Sequence, residues 1–147
     1  MPCRTLLIVC SSAIAMIGCD GDPTDIGGVT GVYTLVGMNG RGVPFPIAQD
    51  SLCATIYDGG FLELRANGRF LLVRDRIIDS PCGDEPRTVT AGGAMGAYGL
   101  SADTLRFDAE GEPDFIGLTS GDSVLVRLVP IDPRLEFTDT VSYVFLR

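Results

Sequence analysis

The sequence predicts an all-β domain, an up-and-down antiparallel β-barrel of about eight to nine strands behind an N-terminal signal segment. Three observations predict it. From Val29 onward, apolar and polar residues alternate in short runs, the period of a half-buried strand. The nineteen glycines and nine prolines fall mainly at the breaks between those runs. No segment sustains the repeat of an amphipathic helix.

Val29–Met38 is rich in β-branched and aromatic residues and stops at the turn pair Asn39-Gly40. Leu52–Tyr57 is a second run, which Gly59-Gly60 is expected to end. Phe61–Ala66 and Phe70–Ile77 flank Ala66-Asn67-Gly68, a strong hairpin signal. Two registers are open there. A three-residue loop with Gly68 left-handed sets Leu64 opposite Phe70 and Leu62 opposite Leu72, with Glu63, Arg65, Arg69 and Leu71 outside. A two-residue Asn-Gly turn pairs Leu64 with Leu71 and leaves Phe70 outside. The first is preferred because it buries the largest side chain. Tyr98, Leu100, Leu105 and Phe107 share one face around a tight turn at Ala102-Asp103. Phe115–Thr119 and Ser123–Pro130 pair around Ser120-Gly121-Asp122, with Val124, Val126 and Leu128 on one side; Arg134–Thr138 and Val141–Leu146 close the chain around Asp139-Thr140. The spacing of the hairpins is irregular, so no solenoid or propeller is expected.

Before this domain comes a different kind of chain. Arg4 precedes an apolar run from Leu6 to Ile17. A membrane-spanning helix needs about 20 apolar residues, more than this run holds, whereas its length and flanks fit a secretory h-region. Residues 20–28 are polar and Gly-rich and read as a flexible tether. Asp20, Asp22 and Asp25 lack the spacing and far-end ligand of an EF-hand, and the acidic stretch Asp108–Asp114 reads as a solvated loop, so no metal site is expected.

Composition narrows the chemistry. All nineteen acidic residues and ten of the eleven arginines follow the signal-like run, leaving a net charge of −9 there. Such a domain has no electrostatic footprint for nucleic acid. The chain has no His, Lys or Trp. Ser-His and Cys-His pairs, histidine metal ligands, Schiff-base lysines and the P-loop lysine are thereby excluded. Gly121-Asp122-Ser123-Val124 resembles the nucleophile block of GDSL hydrolases, but with no histidine base it reads as a turn. Only carboxylates, arginines, tyrosines and hydroxyls remain, and neither catalytic residues nor a cofactor is assigned.

Met16-Ile17-Gly18-Cys19 resembles the lipobox of bacterial lipoprotein precursors. The resemblance implies cleavage before Cys19 and lipidation of Cys19, the palmitate-bearing anchor. Residues 1–18 are then the signal peptide, 19–28 the lipidated cysteine and tether, and 29–147 the working domain. The implied location is the cell envelope, where the anchor makes the membrane a partner. Cys53 and Cys82 are the two cysteines left over, and in an exported chain they read as one disulfide, worth about 3–4 kcal/mol by chain entropy. A metal or redox pair is the alternative, disfavoured by the wide spacing and the lack of C-x-x-C.

Gly31-x-Tyr33-x-Leu35, Leu62-x-Leu64, Asn67-Gly68-x-Phe70, Gly96-x-Tyr98-x-Leu100, Leu105-x-Phe107 and the terminal Arg147 follow in an order that resembles the lipocalin-like domains of small bacterial lipoproteins. In lipocalins the first strand carries Gly-x-Trp and an arginine from the last strand packs over the ring; Tyr33 and Arg147 stand at those positions. The resemblance implies a calycin-type barrel whose interior holds one small hydrophobic ligand, lined by Tyr33, Leu35, Leu62, Leu64, Phe70, Leu72, Tyr98, Leu100, Leu105 and Phe107. Fold alone does not give function, and inward side chains can equally fill a small barrel. The expectations are therefore a ligand-binding module, an interaction or inhibitor protein with a filled barrel, and, least favoured, an enzyme built on two carboxylates. Because the ten interior positions are apolar, a carboxylate ligand is disfavoured unless an arginine turns inward; Arg74, which continues the Phe70-Leu72 face, is the candidate.

Overall fold

The computed structural model describes residues 26–49, 54–80, 87–130, 135 and 140–147. Residues 1–18, Cys19 and both cysteines of the expected disulfide, Cys53 and Cys82, lie outside the described residues, as does the expected strand 134–138 apart from Leu135, which is buried.

A 3-10 turn at Ile26–Val29 leads into ten strands: β1 (Gly31–Met38), β2 (Arg41–Gly42), β3 (Phe45–Gln49), β4 (Ala54–Leu64), β5 (Arg69–Ser80), β6 (Arg87–Ser101), β7 (Thr104–Ala109), β8 (Phe115–Ser120), β9 (Ser123–Leu128) and β10 (Val141–Leu146). Hydrogen-bonded neighbours run β1, β10, β9, β8, β7, β6, β5, β4, and β4 returns to β1. Every pairing is antiparallel, so the eight strands close an up-and-down barrel. Where β1 and β4 pair, closure removes the edges that an open sheet would present.

The preferred hairpin register is the observed one. Leu64 pairs with Phe70 and Leu62 with Leu72 around a loop in which Gly68 has φ +74°, a conformation that glycine adopts without steric cost. Ser101 pairs with Thr104 across Ala102-Asp103, and Ser120 with Ser123 across Gly121-Asp122. These three tight turns lie at one end of the barrel, the hairpin end.

The other end is built differently. β1 and β4 pair only from Gly31 to Thr34 and from Phe61 to Leu64. Beyond that level they diverge, and β2 joins β1 while β3 joins β4. Val43 sits in the fork: its N–H donates to the Val36 carbonyl at 3.0 Å, and its side chain lies where a Cβ on Gly59 would stand. The expectation that Gly59-Gly60 ends a strand is therefore corrected. These glycines lie inside β4, at a double register shift that bends the strand away from β1. Gly59 has φ +105°, and a Cβ on Gly60 would stand 2.0 Å from the Val73 carbonyl oxygen. Glycine is used here because the backbones of β4 and β5 approach too closely for any side chain.

Candidate functional site: the barrel interior

Nine of the ten interior positions expected from the sequence are buried: Tyr33, Leu35, Leu62, Leu64, Phe70, Leu72, Tyr98, Leu105 and Phe107. Leu100, the tenth, is half-buried and packs against the same core. Arg65 and Arg106 are exposed. Alternation along each strand puts these apolar side chains on one face.

At the hairpin end the interior is packed with rings. Phe107 stacks on Phe115 at 4.5 Å and meets Phe70 edge-on at 4.9 Å. Tyr33 and Tyr98 are the two polar tips on this face, and both are already engaged. The Tyr33 hydroxyl donates to the Val29 carbonyl at 2.8 Å, and the Tyr98 hydroxyl to the Arg65 carbonyl at 2.9 Å. Neither is offered to the barrel centre. Arg147 covers this end from outside, its guanidinium 5.7 Å from the Tyr33 ring centre, with Nη1 donating to the Gly28 and Thr30 carbonyls and Nη2 to Asp122.

The split end holds a polar cluster that alternation alone does not reveal. Asp75 is fully buried, and its Oδ1 accepts hydrogen bonds from Tyr143 at 3.0 Å and Tyr57 at 3.2 Å. Burial, and then the Asp75 charge, push both phenols well above the usual tyrosine range, so they remain protonated donors. Arg74 does turn inward and is buried. It reaches across the barrel from β5, its Nη1 donating to the Val129 carbonyl beyond β9 at 2.6 Å and its guanidinium lying 5.9 Å from the Tyr143 ring centre. Its Nε is buried without a hydrogen-bond partner. Phe45 from β3 stacks on Tyr57 at 4.9 Å and closes the cluster on the side of the fork.

Two of these residues were within reach of the sequence. Arg74 continues Phe70-x-Leu72, and Tyr143 alternates with the buried Val141 and Phe145. Tyr57 and Asp75 were not, because a bulge reverses the phase of each strand. In β4 the buried positions change from Tyr57 and Gly59 to Gly60, Leu62 and Leu64; in β5 they change from Phe70, Leu72 and Arg74 to Asp75 and Ile77. Asp75 has φ +53°, the left-handed conformation that a bulge tolerates and most residues avoid.

Asp75 is the only buried carboxylate among the described residues, so the interior does not assemble the two-carboxylate arrangement of a glycosidase there. The described grooves lie on the outer wall. One of about 440 Å³ runs over β5 and β6 past Leu71, Val73, Gly93, Met95 and Glu110, and one of about 250 Å³ lies at Pro44, Phe45, Pro46, Ala54 and Ile56. No family model matches the chain, nor does any curated protein or solved structure.

Proposed function

We propose that this chain is a lipid-anchored envelope protein that works through its outer surface, on a barrel filled by its own side chains. The observation that carries the reading is the interior itself. Tyr33, Tyr57, Tyr143, Phe107 and Phe145 are among its largest fully buried side chains, and Phe70, Phe107 and Phe115 touch ring to ring where a ligand would otherwise lie. A drug-sized ligand needs a cavity of about 300 Å³ or more, and the two described grooves are outside the wall. The finer assignment, a lipocalin-like domain of a small bacterial lipoprotein, is supported by the closed eight-strand order and by Arg147 over the Tyr33 ring at the hairpin end. The anchor is proposed at Cys19, with the protein on the envelope side of its membrane.

One observation favours the second reading, a small hydrophobic ligand in the barrel. The unpartnered Nε of Arg74 is a buried donor that a ligand oxygen would satisfy. Native mass spectrometry of protein released from its own envelope separates the two. The filled barrel predicts the polypeptide plus its anchor and no further mass. A stoichiometric small molecule that dissociates only on unfolding would establish the ligand reading instead.

A further inference from the structure

The outer wall is not uniform. Among the described residues, large apolar side chains stand exposed at Val32, Val36, Met95, Ile116, Leu118, Val129 and Leu146. Five of the seven lie on β1, β8 and β10, and the pairing registers join four of them, Val36, Ile116, Leu118 and Leu146. Leu118 on β8 is directly opposite Leu125 on β9, and Leu125 is opposite Val144 on β10. Val144 in turn is opposite Gly37 on β1, beside Val36, while Leu146 is opposite Thr34. The result is an apolar strip running across four neighbouring strands.

Two arginines stand beside Ile116. Arg106 is directly opposite Ile116, and Arg127 follows Val126, the partner of Gly117. The two guanidiniums therefore flank Ile116 on either side. Both are exposed, and neither belongs to an ion pair among the described residues, whereas Arg65, Arg69, Arg76 and Arg147 each hold a carboxylate. In a chain of net charge −8, two unneutralised arginines beside exposed Ile116 and Leu118 are a local reversal of the field. Glu112 and Asp114 lie in the loop at one limit of the strip. The other limit, at Leu146, is beside the start of β1, where the chain enters from its N-terminal segment.

We infer that this wall, β8–β9–β10–β1, is the face that lies on a bilayer containing anionic phospholipid. Arg106 and Arg127 meet lipid phosphates, and the Ile116–Leu118–Leu146 strip enters the headgroup boundary. Charge complementarity selects this occupant. An anionic surface repels the molecule as a whole, so only an orientation that presents the unpaired cations and apolar side chains together is retained. Apolar area and cationic charge are the two terms that hold a surface-bound protein at a membrane. The inference rests on the reading that the outer wall carries the function.

The chain contains no tryptophan, so Leu118→Trp introduces a single indole into the strip. Met95→Trp introduces one on β6, which stands opposite β10 around the barrel and is similarly exposed in the native chain. Full-length protein carrying either substitution is mixed with vesicles of phosphatidylcholine alone or with phosphatidylglycerol added, each with a brominated lipid as quencher. Expected are a blue shift and quenching for Leu118→Trp with phosphatidylglycerol vesicles, none for Met95→Trp, and a loss of about tenfold or more in vesicle partitioning when Arg106→Gln and Arg127→Gln are combined. Three outcomes overturn the inference: no quenching of Leu118→Trp in bound protein, equal quenching at both positions, or a concentration-dependent blue shift without vesicles, which would assign the strip to a second copy of the chain. Co-sedimentation without quenching leaves the anchor proposal standing and removes only the docking face; failure to co-sediment at all counts against both.

Discussion

At the hairpin end of the barrel, the inward side chains of β1, β4, β5, β6 and β7 follow simple alternation; at the split end, three of those strands break it. β1 shifts register between Leu35 and Gly37, β4 around Gly59, and β5 after Arg74. The shifts fall where β1 and β4 part and β2 and β3 enter. The consequence is chemical as well as geometrical. A wall in regular phase buries apolar residues against Phe70 and Phe107, while the phase reversals bring Tyr57 and Asp75 inward beside Arg74. A buried polar group costs about 1–3 kcal/mol unless hydrogen bonds offset it, and the two phenols supply those bonds to Asp75. Irregular backbone and buried charge thus occur together, at one end.

The largest expected effects come where backbone crowding demands glycine. Gly60→Ala at the split and Gly96→Ala in the regular wall each place a Cβ about 2 Å from a carbonyl oxygen, 2.0 Å from Val73 and 1.9 Å from Asp108. Each substitution is expected to cost more than about 4 kcal/mol and to abolish cooperative unfolding in a domain whose whole stability is of order 5–15 kcal/mol. Gly99→Ala, which meets nothing within 4 Å, is expected to unfold like the native chain in the same denaturant titration.

Next comes the buried carboxylate. Asp75→Ala strips both buried phenols of their acceptor and is expected to cost about 2–4 kcal/mol. Glu63→Ala removes an exposed pair with Arg65 at the hairpin end and is expected to leave the denaturant midpoint of unfolding unchanged. Equal losses for the two would remove the distinction between the ends.

Alkaline titration sharpens it further. All four tyrosines of the chain have raised pKa values, mainly through burial, and those of Tyr57 and Tyr143 are raised furthest. The unfolded chain ionises its phenols near pH 10 and the folded chain does not. The tyrosine contribution to stability is therefore complete below about pH 10 and declines as pH rises beyond it. Tyrosinate absorbance is expected to emerge late and together with loss of the barrel's circular dichroism. Smallest is Arg147→Ala: it removes an exposed ion pair and the cover over Tyr33, and only a slight drop in the thermal midpoint is expected.

The contrast between the ends also explains what could be read from the sequence. Leu62, Leu64, Phe70 and Leu72 were legible because Asn67-Gly68 fixes the register and alternation propagates it. Tyr98 and Phe107 followed from the turn at Ala102-Asp103 in the same way. Gly59-Gly60 reads as a stop in the sequence because glycine pairs mark turns more often than bulges inside a long strand. From Leu62 and Leu64, alternation without the bulge would turn Ile56 and Asp58 inward; instead Tyr57 is buried, and Asp58 faces out to pair with Arg76. Asp75 illustrates the limit: nothing local in Val73-Arg74-Asp75-Arg76 marks which of its charged residues a bulge will bury.

A crystal structure of the protein isolated from its native source is the most direct test. It should place the Tyr57 and Tyr143 hydroxyls on the Asp75 carboxylate, with Arg74 reaching Val129 and the space between Phe70 and Tyr143 filled by side chains alone. Continuous density for a bound molecule in that space, with Phe107 or Tyr143 displaced and Arg74 turned onto the ligand, would contradict the filled barrel and make this protein a carrier.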